Sequence, residues 1–249
     1  MPRQQPPFAS TTRASLVFTF LAASGCATYT LPTSRLESPE ASGPDRVGRV
    51  EVGSQSGVDL VTAAAEVVPP AAADGTQPAS TFVLSSSLIN PWGSFTRALG
   101  ESLDVSVKIQ PASPLMIKAK YQLSGAPESK ADKGNFPIAA TAGGGLLMGV
   151  PSSGSVMGFG FDVGLLAGYR LGTRHLVMLS PYLSFLSLSG LAATAGASSG
   201  SAMIYGGALG YQYTLYSLFL KLEASYTLGG SGTNSASPLG FGAALGVNL

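Results

Sequence analysis

The stretch MGFGFDVGLLAGYRL, residues 157–171, decides the fold. Its odd positions are Met157, Phe159, Phe161, Val163, Leu165, Ala167, Tyr169 and Leu171; its even positions are Gly158, Gly160, Asp162, Gly164, Leu166, Gly168 and Arg170. One face is apolar and aromatic, and the other is small or charged. An apolar face that repeats every second residue belongs to a strand, because a helix would repeat every 3.6.

The same alternation recurs on both sides of this stretch. Leu103, Val105, Val107 and Ile109 oppose Asp104, Ser106 and Lys108, and Leu115, Ile117, Ala119 and Tyr121 oppose Lys118, Lys120 and Gln122. Further runs start at Phe136, Met203, Leu218 and Leu239, and the last of them reaches Leu249. Between Leu176 and Leu188 the phase is mixed: Leu183 and Phe185 share one face and Leu186 and Leu188 the other. A bulge near Pro181 or Phe185 is the expected cause. Eight strands therefore lie between Leu103 and Leu249. Upstream, residues 46–68 and 80–97 supply one strand each, for a total of about ten; eight or twelve are the alternatives.

Composition narrows the setting. Charged residues make up 11% of the 249, against about 25% in a typical soluble domain, and glycine is abundant at 32 residues. The 14 basic and 13 acidic residues leave no basic excess, which excludes a nucleic-acid surface. No run approaches the ~20 consecutive apolar residues of a membrane-spanning helix. A soluble sandwich would turn large apolar residues inward and polar ones outward. Here the non-apolar face is Gly, Ala and Ser with a few charges, which suits the crowded lumen of a small barrel. Tyr169, Tyr182, Tyr211, Tyr213 and Tyr226 stand near strand ends, as interfacial belts do. Connections alternate between short turns (171–176, 213–218) and longer Gly/Ser-rich links (150–156, 190–201, 229–237). Short turns face the periplasm in outer-membrane barrels. The expectation is a closed antiparallel up-and-down transmembrane β-barrel.

The N-terminus points to export. Residues 1–25 combine Arg3 and Arg13 with an apolar stretch from Ala14, the pattern of a secretory signal. Ala23-Ser24-Gly25-Cys26 resembles a bacterial lipobox, with Ala23 where Leu is usual. That resemblance implies lipidation at Cys26, the one cysteine; cleavage after Ala27 is the alternative. Residues 26–45, with Pro32, Pro39, Gly43 and Pro44, then read as a lipidated flexible tether, and 46–249 as the barrel. In architecture, residues 46–249 resemble the small outer-membrane barrel superfamily, of the outer-membrane protein A membrane-domain type. The resemblance implies outer-membrane lipid and the barrel-assembly and lipoprotein-sorting machineries as partners, and carries no activity.

The inward phase holds Asp104, Lys108, Lys118, Lys120, Asp162, Arg170, Lys221 and Glu223. These read either as a polar conduit or as a charge-paired lumen that plugs itself, since buried charges must be paired to be tolerated. His175 sits in a tight turn with no acidic neighbour in sequence, which suits a surface residue better than the base of a lipid-modifying enzyme. Trp92, in Asn90-Pro91-Trp92-Gly93, reads as an interfacial anchor. The clusters Gly143-Gly144-Gly145 and Gly158-Phe159-Gly160 open no helix and lack a Gly-Lys-Ser/Thr ending, so they are not phosphate loops. There is no metal-ligand spacing, catalytic motif or cofactor signature. The reading is a structural or envelope-interaction barrel, with a small pore as the alternative.

Overall fold

The computed structural model describes residues 28–46, 48–62, 82–111, 113–149, 154–192, 196–231 and 239–249. Cys26 and the expected signal segment, residues 1–25, lie outside them. The described chain is all-β. A short strand, β1 (Thr28–Pro32), precedes β2 (Arg49–Thr62), β3 (Phe82–Ala98), β4 (Leu103–Ile109), β5 (Leu115–Ser124) and β6 (Ile138–Gly149). The long strands β7 (Gly154–Gly172), β8 (His175–Ala192), β9 (Gly196–Leu215) and β10 (Leu218–Ser231) follow, and β11 (Leu239–Asn248) ends the chain. Each of β2 to β11 pairs antiparallel with the next, and β11 returns to β2 over Gly242↔Gln55 to Asn248↔Arg49. The result is a closed ten-stranded barrel with one added strand, so the ten-strand expectation holds, including strands from the 46–68 and 80–97 regions. Closure leaves no free edge along the seam and satisfies the backbone groups strand to strand.

The alternation decides which side chains face out. Phe161, Leu165, Tyr169, Leu179, Leu209, Leu222 and Leu245 are all at least 47% exposed on the outer surface, while their neighbours Asp162, Leu166, Arg170, Ser180, Gly210, Glu223 and Ala244 are buried inside. Outward apolar residues recur on every barrel strand from β3 to β11 and on β2 at Val50 and Val52.

Three expectations need correction. The mixed phase of β8 is not a bulge: the β8–β9 pairing runs unbroken through Pro181↔Gly207, and the β7–β8 register is the same on both sides of Pro181. Instead, Leu186 and Leu188 face inward, where they pack with Leu31, Val58, Leu147, Tyr182, Ala202 and Ile204. The lumen simply turns apolar toward this end. Tyr182 belongs to that inner layer rather than to an outer belt. Finally, much of the Gly/Ser-rich 190–201 link is strand, since β8 runs to Ala192 and β9 starts at Gly196.

The largest correction concerns the tether. Residues 33–42 do not hang free: Thr33, Ser34, Arg35, Leu36, Ser38, Glu40, Ala41 and Ser42 are all buried. β1 pairs with the far end of β2 (Thr28↔Val61 to Pro32↔Gly57). A bulge at Ser56 marks the point where β2 exchanges β11 for β1 as its neighbour. From Pro32 the chain turns into the lumen, runs its length and re-enters the wall at Arg49.

Candidate functional site: the filled lumen

A segment with no strand partners must find other homes for its backbone polar groups, since an unpaired buried N–H or C=O costs about as much as a lost hydrogen bond. Here the wall side chains supply them. The Glu223 carboxylate on β10 accepts from Arg35 N at 2.5 Å, Leu36 N at 2.7 Å and Ser34 Oγ at 2.7 Å. Gln122 Oε1 on β5 accepts from Ala41 N at 2.5 Å, and Asp104 on β4 accepts from Ser42 N at 3.0 Å. In the opposite sense, Lys221 Nζ donates to Leu36 O at 2.9 Å, and Lys120 Nζ donates to Ser38 O at 3.0 Å and Glu40 O at 2.6 Å. The wall charges act as a hydrogen-bonding lining for a backbone that has no ladder.

The side chains of the segment complete the charge pairing. Glu40 takes a two-pronged bond from Arg170 on β7, Nε to Oε1 at 2.6 Å and Nη2 to Oε2 at 2.5 Å, with both residues fully enclosed. Planar guanidinium and carboxylate match each other in this geometry. Glu37 pairs with Lys118 on β5, and Lys118 also holds Asp162 at 2.9 Å. Arg35 pairs with Asp162, donates to Ser184 Oγ at 2.6 Å, and lies 4.4 Å over the Tyr182 ring. Lys221 Nζ sits 2.8 Å from Glu51, and Lys120 3.0 Å from Asp104.

All eight lumen charges expected from the alternation thus face the interior, and seven of them make an ion pair or a direct bond to the segment. The exception is Lys108. Its Nζ donates to Gln55 Oε1 at 2.9 Å and lies 4.3 Å over the ring of Trp92. Trp92 is therefore an inner residue, buried with Leu36 and Ala244, and not an interfacial anchor. Sequence reasoning missed Arg35, Glu37 and Glu40 because they fell in the supposed tether. It also missed Arg49, Glu51 and Glu128, although Arg49 and Glu51 alternate with the outward Val50 and Val52.

Each end of the lumen carries further packing. At the β1 end stands the apolar layer around Leu186 and Ile204. At the other end the 125–137 connector folds back: Glu128 N donates to Ala41 O at 2.8 Å, and the buried Glu128 carboxylate receives Arg49 and, at 3.3 Å, Arg46. On the outer side of this connector Lys130 holds Glu101 at 2.9 Å, and that bond raises the pKa of the lysine. Among the described residues, spaces of about 50 Å³ beside Trp92 and about 40 Å³ beside Gln110 remain inside, each with room for a few water molecules.

Inward glycines leave the width that the segment needs. A Cβ at Gly242 would come within 2.4 Å of Ser34 Oγ and 2.9 Å of Leu36 Cδ1, and one at Gly168 within 2.7 Å of Pro39. Gly242→Val is expected to displace Leu36 from Trp92 and cost about 1–3 kcal/mol, as overpacking does. Because Trp92 is the one tryptophan, its fluorescence reports the change. A red-shifted emission with a lower unfolding midpoint is expected, and an unshifted spectrum would mean that the segment does not press on β11.

His175 is exposed at the β7–β8 turn. Its Nδ1 is 2.6 Å from Tyr211 Oη, and its ring lies 5.2 Å from that of Tyr213. Among the described residues no carboxylate joins it, and no group of His, Cys, Asp and Glu could hold a metal. Compared with known proteins, the chain matches no family model and no curated protein.

Proposed function

We propose that this chain is a lipid-anchored outer-membrane β-barrel protein with a structural or envelope-interaction role, its lumen occupied by its own N-terminal segment. The observation that carries this reading is the outward apolar surface of a closed barrel. Ten strands present Leu, Phe, Tyr, Val and Ile side chains outward, and in water that surface would far exceed the few hundred Å² of contiguous apolar patch that soluble monomers tolerate. In lipid it is the surface required, and closure is what allows strands to span a bilayer at all. The lipobox-like Ala23-Ser24-Gly25-Cys26 supports anchoring at Cys26. Delivery by lipoprotein-sorting and barrel-assembly machineries follows from that combination.

The filled lumen argues for a structural role over transport, because the N-terminal segment with Arg35, Leu36, Glu37 and Glu40 occupies the space that a solute would need. Leu165, 54% exposed near the middle of β7, provides the test. Leu165→Arg is expected to lower stability by about 2–4 kcal/mol in bilayers, the cost of a cation at the midplane. On a water-facing surface the same change is worth within about 0.5 kcal/mol. Urea titration of the protein refolded into vesicles, with mobility on unboiled gels as the folding readout, separates the two. A negligible cost would overturn the membrane reading.

A further inference from the structure

The crossing segment decides on which side of the barrel the chain begins. Ten antiparallel strands are an even number of traverses, so β2 starts and β11 ends on the same side. Arg49↔Asn248 marks that side, together with the turns at 173–174 and 216–217. Residues 33–48 add an eleventh traverse. Their contacts fix the route: Ser42 touches β4, Glu37 β5, Glu40 β7, Arg35 β8, Ser34 β10 and Leu36 the glycine face of β11. Only the interior adjoins all these strands at once. Thr28 therefore stands opposite Val61, at the end of the barrel where the connections 63–81 and 232–238 lie.

We propose that the mature N-terminus is displayed on the loop side, opposite the C-terminus. An acyl anchor on Cys26 then enters the outer leaflet and not the periplasmic one. The inference rests on the outer-membrane reading above and deepens it. Cys26 is two residues from Thr28, and two extended residues span about 7 Å. An anchor in the periplasmic leaflet would have to reach back across the ~25 Å apolar band of such a barrel. It could do so only by unpairing β1 and withdrawing residues 33–42 from the lumen, which would take Glu40 from Arg170, Glu37 from Lys118 and three donors from Glu223. β1 offers the means of carriage, because it is paired to β2 and travels with the 63–81 end of that strand when the strand inserts.

The test uses one short epitope inserted in turn after Ala27, after Ser235 in the β10–β11 connection, and after Asp132 in the 125–137 connector. Each version is probed with antibody on intact and on permeabilised cells, and mobility on unboiled gels confirms that each has folded. The insertion after Ala27 survives either route of signal removal. The expected result is that the Ala27 and Ser235 epitopes bind antibody on intact cells, while the Asp132 epitope binds only after permeabilisation. An Ala27 epitope that partitions with Asp132, while Ser235 stays exposed, overturns the inference and leaves the barrel reading intact. Ser235 and Asp132 epitopes that behave alike would overturn the membrane reading itself. Thr28→Cys, labelled with an impermeant maleimide, gives the same partition without an insertion.

Discussion

Replacing residues 33–42 with a glycine-serine linker of equal length is expected to convert a silent barrel into a conducting one. A barrel of about eight strands is filled by its own inward side chains. Ten strands enclose more, and here the surplus is taken up by a length of main chain with Arg35, Leu36, Glu37 and Glu40 on it. With that chain in place the lumen holds small pockets, of about 50 and 40 Å³, that share Arg35, Lys108 and Lys118 in their linings. A linker of equal length still crosses the lumen but leaves open the space that those side chains filled, and the pockets merge along it. The exposed wall would carry Arg49, Lys108, Lys118, Lys120, Arg170 and Lys221 against Glu51, Asp104, Asp162 and Glu223, with Glu128 at the connector end. A slight excess of cations predicts a preference for anions. In planar bilayers the native chain should give no steady current and the replaced chain discrete, anion-preferring channels, with the preference reversed by Lys118→Glu. Native currents as large as those of the variant would show that the segment does not obstruct the lumen.

The second large effect is expected at Arg170 and Glu40. Two enclosed charges bonded at 2.5 and 2.6 Å are not in themselves evidence of net stability, because desolvation offsets most of their attraction. Removing one partner is another matter. Glu40→Leu leaves an enclosed guanidinium bonded to the neutral Thr173 carbonyl at 2.6 Å, and Arg170→Met leaves an enclosed carboxylate with the neutral Asn135 amide, at 2.9 Å, in place of its cation. Each single change is expected to cost about 3–5 kcal/mol, whereas the double change Glu40→Leu with Arg170→Met recovers most of that loss. Unfolding midpoints of the four proteins in vesicles give the coupling. Additive losses would mean that the two groups do not depend on each other and that the segment is held elsewhere.

The wall was legible in the sequence and its filling was not. Period-two alternation survives in β7 because outward Phe161 and Leu165 and inward Asp162 and Arg170 meet different surroundings, and the pattern records that difference directly. It failed in β8 because large apolar residues change faces within a few positions, Leu183 and Phe185 on the outer phase and Leu186 and Leu188 on the inner one, and a two-letter pattern cannot show where the lumen itself turns apolar. Residues 33–42 failed for a deeper reason. Their backbone is satisfied by side chains far away in sequence, such as Glu223 and Lys120, so nothing local marks them as ordered. One signal was present. The inward charges read from the strands were Lys108, Lys118, Lys120, Arg170 and Lys221 against Asp104, Asp162 and Glu223. A surplus of two cations in an enclosed space calls for further anions. Glu37 and Glu51 are two that answer it, and Glu40 offsets Arg35 by taking Arg170.

The seam between β2 and β11 gives this architecture a history as well as a shape. The two strands stand at opposite ends of the barrel sequence, and their union is the last event that chain order allows. Once those seven residue pairs have formed there is no lateral way in, and the Leu186 layer packs toward one mouth and the 125–137 connector toward the other. Residues 33–42 must therefore already lie against the open sheet when the seam shuts, and the wall must curl around them. The N-terminal segment of the described chain then serves as the mandrel on which the rest is wound. A fault in it would be felt as a failure to assemble long before it was felt as a leak.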